Sequence, residues 1–178
     1  MIRRLISRKT IEAARKFAEK VYRLRHANAD KFLQGDEFKA DVKGFEVEFA
    51  NCEVFNLPKP EIHEGREVDQ FDCYLAVPNE NGLLQALRFD VKTSSDFLIN
   101  KKQFEHKGID AYLFEEMEFL SWETNAIFVK IFGWIRKQDV VANSELKKFD
   151  NGSEAYAVNP RALKNPKDLF GLTYAGGA

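Results

Sequence analysis

Cysteine is scarce. Cys52 and Cys73 are the two in 178 residues, too few for a disulfide framework and without metal-ligand spacing, so two reduced thiols are expected. Histidine is also scarce: His26, His63 and His106 lie far apart, none with a second His or a Cys one helical turn away, which argues against a zinc site. Five Pro and ten Gly, set against 44% hydrophobic residues and 16 Phe, exclude a low-complexity or disordered chain. No apolar run approaches the ~18 residues of a membrane span. The basic stretch from Met1 to Lys9 lacks the apolar centre of a secretory signal. The expectation is a soluble cytoplasmic protein with no membrane partner.

Net charge is missing too. Lys plus Arg number 27 and Asp plus Glu 28, a formal balance of -1, which argues against a generic basic coat for nucleic acid or a polybasic membrane binder. The charge is nonetheless segregated. Residues 1–31 hold ten Lys or Arg against three acids, and residues 36–80 hold twelve acids against four bases. A basic segment of this kind suits a phosphate backbone that must be held; a solvated face or a dimer contact is the alternative. The length suits one domain, 1–178, able to bury roughly 70% of the surface of its unfolded chain.

Residues 10–27 read as an amphipathic helix capped by Thr10, with Ile11, Ala14, Ala18, Val21 and Leu24 or Arg25 on one face and Arg15, Lys16, Lys20 and Arg23 on the other. A second helix is expected over 37–55, with Val42, Phe45, Phe49 and Cys52 on a stripe and Pro58 and Pro60 beyond its end. After a polar loop the period changes from 3.6 to 2. Residues 71–77 and 85–92 alternate around the turn Pro78-Asn79-Glu80-Asn81-Gly82, the pattern of an antiparallel hairpin. A loop over 94–100, a short helix over 101–107 and strands over 109–114 and 126–135 follow. Asn159-Pro160 and Asn165-Pro166 each start a short helical turn. The order predicts a mixed α/β or α+β fold, a sheet flanked by helices.

Asp90-Val91-Lys92 is the most informative triplet. On a strand, i and i+2 point to one face, so the carboxylate can hold a divalent metal while the ammonium orients water. Acid-x-Lys occurs five times in the chain, but the copy at Asp90 alone ends an alternating apolar strand and runs into Thr93-Ser94-Ser95. Asp72, at the start of the preceding strand, falls on the polar face shared by the hairpin; Asp69, in the loop, competes with it. Glu48 borders the apolar stripe of the second helix and can reach inward, whereas Glu46 and Glu53 on the other border read as solvated.

With Gly44-Phe-Glu-Val-Glu48-Phe-Ala50, Phe71-Asp72-Cys-Tyr-Leu and Arg88-Phe-Asp90-Val-Lys92-Thr93-Ser94 in order, followed by Ile109-Asp110-Ala-Tyr112-Leu-Phe and Val129-Lys-Ile-Phe-Gly133-Trp134-Ile135, the chain resembles the PD-(D/E)xK nuclease superfamily, in particular its small bacterial and phage members. The resemblance spans residues 36–140, leaving 1–31 as a basic helix and 141–178 as a C-terminal extension. Phe71 replaces the proline of the family name, and the second acid is Asp.

The resemblance implies an αβββαβ core and a deoxyribonuclease acting in a bacterial cytoplasm, encoded by the bacterium or by a phage. Glu48, Asp72 and Asp90 would ligate Mg²⁺ or Mn²⁺, joined by the carbonyl of Val91, with Lys92 positioning the attacking water and Gln103 in support. Such hard ions take oxygen ligands of these types. Thr93, Ser94, Lys101 and Lys102 are then candidates for contacts to DNA phosphates. A catalytically inactive nucleic-acid-binding protein of the same fold, and a structural module in which Asp72, Asp90 and Lys92 form a surface ion pair, are the competing readings. A homodimer is compatible with all three.

Overall fold

The computed structural model describes residues 1–25, 35–59, 73–93, 95–105, 108–121 and 126–171. Their contacts form two units. The second unit is built on helices α1 (Arg8–Arg25) and α2 (Asp36–Phe55). Ser7, rather than Thr10, caps α1: its hydroxyl oxygen accepts from the amide of Thr10 at 3.3 Å, satisfying one of the amides left open in a first turn. Ser7 is tied in turn to the Glu53 carboxylate through its amide at 3.0 Å and its hydroxyl at 2.9 Å.

Ile11, Ala14 and Ala18 are buried as their spacing predicts, but the stripe continues through Tyr22, 2% exposed, while Leu24 is 67% exposed. The cause is aromatic packing: Phe38 of α2 meets Tyr22 edge-on at 5.2 Å, and Phe17 meets Phe45 at 5.0 Å and Phe49 at 5.4 Å. Helix α2 ends at Asn56, which takes the left-handed conformation at φ 53°, as C-terminal caps commonly do.

The first unit carries the sheets. Strands β1 (Ile2–Ile6), β2 (Cys73–Pro78), β3 (Leu84–Lys92), β5 (Ala111–Ser121), β6 (Ala126–Arg136) and β9 (Phe170–Gly171) form a six-stranded sheet in the order β1-β6-β5-β3-β2-β9. The distal residues of β5 and β6, and those of β1 from Arg4 onward, group with the second unit. The expected hairpin is present: β2 and β3 pair antiparallel with Cys73 opposite Phe89. Asn79 closes the turn, its side-chain oxygen accepting from the amides of Asn81 and Leu83, and Gly82 supplies the positive φ of 75° that a side chain would resist. On its other side β3 pairs with β5 in parallel, so the sheet is mixed.

Strands β4 (Leu98–Asn100), β7 (Ser144–Lys148) and β8 (Glu154–Val158) form a second, antiparallel sheet in the order β4-β8-β7. The sequence pattern predicts a loop over 94–100 and only helical turns in the tail, and this sheet departs from it; its strands are three to five residues long and β7 is exposed at four of five positions, so they lack the alternation that marks β2 and β3. Helix α3 (Lys101–Phe104) connects β4 toward β5, and α4 (Lys137–Val140) follows β6.

Ile99, Ile109, Tyr112, Phe114, Ile135, Val140 and Val158 form a core, with Phe97, Phe104 and Tyr156 against it. Both Asn-Pro turns are found where expected, Asn159 capping Pro160–Ala162 and Asn165 capping Pro166–Asp168. Between them Lys164 pairs with Trp134 through two backbone hydrogen bonds of 3.2 and 2.7 Å. That approach requires Gly133, where a Cβ would lie 2.6 Å from the Lys164 carbonyl oxygen and 2.8 Å from the Leu163 Cβ.

Candidate active site

Strand β3 enters the core with Leu87 and Phe89 buried on one face and presents Arg88, Asp90 and Lys92 on the other, as the two-residue period requires. Lys92 Nζ lies 2.8 Å from Asp90 Oδ2, and each side chain is 14% exposed. The same Nζ donates to Gln103 Oε1 at 2.9 Å. Asp90 and Lys92 of β3 and Gln103 of α3 therefore meet at one point, Lys92 and Gln103 being eleven positions apart in sequence.

Helix α3 is a single turn, and its neighbours hold Gln103 in place. Asn100 caps it, accepting from the Lys102 amide. Phe104 stacks on Tyr112 at 6.4 Å and packs on Tyr156 at 4.8 Å, with the Lys137 ammonium 5.4 Å from its ring centre. Lys101 bonds Glu154 at 2.6 Å, which Lys148 also approaches at 3.4 Å. The hydrogen bond to Glu154 holds the Lys101 ammonium above its ordinary pKa and the Glu154 carboxyl below its own. Lys101 is thus drawn to β8, whereas Lys102 is exposed.

Strand β5 supports the site from beside it. Its parallel register sets Tyr112 opposite Asp90 and Phe114 opposite Lys92. Tyr112 is wholly buried, and its hydroxyl has no hydrogen-bond partner among the described residues. Burial first, and the negative charge of Asp90 second, push its pKa up, so the phenol stays protonated. Arg88 ties the start of β5 to β3: its backbone amide, Nε and Nη2 all donate to the Asp110 carboxylate at 2.8–2.9 Å, and the Asp110 amide donates to the Arg88 carbonyl. The Arg88 side-chain hydrogen bond holds the Asp110 carboxyl below its usual range. Both residues fall in the segments that carry the family resemblance, and no local pattern pairs them, because 22 positions separate them.

Val91 is half-buried on β3 and Thr93 is exposed just after it. Glu48 is half-buried on α2, in the other unit. Asp72 and Ser94, like Asp69, lie outside the described residues. Among the described residues no three His, Cys, Asp or Glu side chains gather in a group able to hold a metal. One acid departs from expectation: Glu46, read as solvated, is 4% exposed and takes the Arg15 Nε at 2.6 Å, since its border of α2 turns toward α1. Nearby Cys52 is inert by its surroundings, burial and then the Glu48 charge raising its thiol pKa to about 11. No helix among the described residues is long and apolar enough to cross a membrane. No protein-family model, curated protein or solved structure matches the chain.

Proposed function

We propose that the chain is a metal-dependent deoxyribonuclease with a restriction-endonuclease-like core. The observation that carries this reading is the junction of Asp90, Lys92 and Gln103 at the end of β3, with a parallel strand beside it. An ammonium has three donors. Lys92 directs one at Asp90 and one at Gln103, and the third can hold a water or a phosphate oxygen. A fixed ammonium of this kind stabilises the negative charge that develops as a phosphodiester is attacked.

The donors at the end of β3 are oxygens of the type that a hard divalent ion takes. Asp90 offers a carboxylate and Val91 a carbonyl, and Glu48 and Asp72 are the further acids that the resemblance assigns to Mg²⁺ or Mn²⁺. When bound, such an ion polarises the scissile phosphate and lowers the pKa of its water. The protein's own part is to place that water with Lys92, hold Lys92 with Gln103, and keep the Asp90 side of the strand rigid through Tyr112 and the Arg88–Asp110 tie.

Purified protein is expected to cut plasmid DNA with Mg²⁺ or Mn²⁺, to stop in chelator, and to lose activity as Lys92→Ala with its circular dichroism unchanged. Cleavage that persists in chelator or in Lys92→Ala refutes the mechanism. Binding of DNA without cleavage under either metal selects the inactive nucleic-acid-binding reading instead.

A further inference from the structure

Six basic residues of α1 divide into two classes. Arg8, Arg15 and Arg23 are engaged by acids: Glu12 at 2.7 Å, Glu46 at 2.6 Å and Glu19 at 2.9 Å. Lys9, Lys16 and Lys20 are exposed, and among the described residues none of them has an ion-pair partner. At about 100° per residue the three fall within about 40° of one another, on the side of the helix opposite Ile11, Ala14, Ala18 and Tyr22. They form a ridge along the outer face, running about 16 Å from Lys9 to Lys20 at 1.5 Å per residue.

We infer that this lysine ridge is a sequence-independent docking surface for the phosphate backbone of duplex DNA. The inference rests on the proposal that DNA is the substrate, and it moves the backbone grip away from Lys101, which Glu154 engages. Three features favour a duplex. Over about 16 Å of its axis a duplex presents about ten phosphate charges, so ammonium groups carried in a row on one helix meet charge along its whole length. Lysine is a flexible point charge suited to phosphate without fixed geometry. The helix also has no apolar face to offer a lipid surface, because its apolar stripe is buried, Ile11 at 5% and Ala14 and Ala18 at 0% exposed, and interfacial helices need that stripe free.

The test is the salt dependence of binding. A short fluorescent duplex is titrated with the full chain in chelator, so that no cutting occurs, across a series of KCl concentrations. Each neutralised phosphate contributes about 0.9 to the slope of log K against log salt, so the triple variant Lys9→Ala, Lys16→Ala, Lys20→Ala is expected to lower the slope by about 2–3 and weaken binding equally for unrelated sequences. The triple Lys→Arg variant is expected to keep the wild-type slope. Alanine favours helix, and an unchanged circular dichroism spectrum separates lost contacts from lost structure.

A wild-type slope in the triple Ala variant overturns the ridge, as does wild-type protein that does not bind the duplex, or that binds vesicles of anionic phospholipid as tightly as DNA. The two proposals fail separately. Metal-dependent cleavage with a slope indifferent to the ridge removes the ridge and keeps the nuclease; a ridge-dependent slope without cleavage does the reverse.

Discussion

The Asp90–Lys92 pair makes a prediction that needs no substrate. The contact is 2.8 Å long and both side chains are 14% exposed, so it sits between a surface ion pair, worth about 0–1 kcal/mol, and a fully buried one, where removing one partner costs about 3–5 kcal/mol. Lys92→Ala leaves the Asp90 carboxylate and the Gln103 carbonyl oxygen without the ammonium, and Asp90→Ala leaves the ammonium without its carboxylate. Each single change is expected to cost about 2–3 kcal/mol, because a charge held in a largely desolvated place loses its compensation. The double variant leaves no orphan charge and is expected to cost about 3 kcal/mol rather than the ~5 of independent sites, a coupling near 2 kcal/mol.

Urea denaturation of the four proteins at one pH measures the cycle. In thermal melts the single variants are expected to fall by about 5–10 °C for a chain of this size. Single-variant costs that add within about 0.5 kcal/mol refute the claim that these two charges form one preorganised unit, whatever the cleavage assay says.

Two further outcomes follow from the same unit. Gly133→Ala is expected to destabilise by about 2–4 kcal/mol, since its Cβ would meet a backbone carbonyl at 2.6 Å and relief requires parting the two Trp134–Lys164 hydrogen bonds; an unchanged melting temperature refutes the close approach. For Asp110, the folded carboxyl titrates below its ordinary value of 3.8 because Arg88 bonds it. Its stabilisation is therefore complete above that value and lost as pH falls below it. Wild type should be the more stable of wild type and Asp110→Asn near neutrality, with the gap closing in acid; a gap that stays constant through the acid limb contradicts the tie to Arg88.

How much was legible depended on whether a local pattern carried the signal. The helices over 8–25 and 36–55, the hairpin of β2 and β3, the strands β5 and β6 and the two Asn-Pro turns were readable, because periodicity, turn chemistry and caps act over a few residues. The three-residue β4 and the exposed β7 were not, since strands so short are made by their partners. Tyr22, and not Leu24, continues the buried stripe, because at about 100° per residue Tyr22 falls about 20° from Ile11 whereas Leu24 falls about 40° from the exposed Lys20, and Phe38 on α2 packs on Tyr22. Glu46 is buried against Arg15 although its position predicts a solvated residue, because a helix pattern does not say which of its borders faces a neighbour.

The candidate site divides along the same line. That Asp90 and Lys92 share a face follows from the strand period alone, and the sequence by itself determined it, together with the segregation of basic and acidic segments behind a net charge of -1. Tertiary structure decided what meets that face. It brought Gln103 to Lys92, drew Lys101 to Glu154 across 53 positions and set a buried Tyr112 beside Asp90. It also separated Arg8, Arg15 and Arg23, engaged by acids, from Lys9, Lys16 and Lys20, which have no such partner among the described residues. Spacing along one element is a local property of the chain, whereas a contact between elements depends on packing that no stretch of sequence contains.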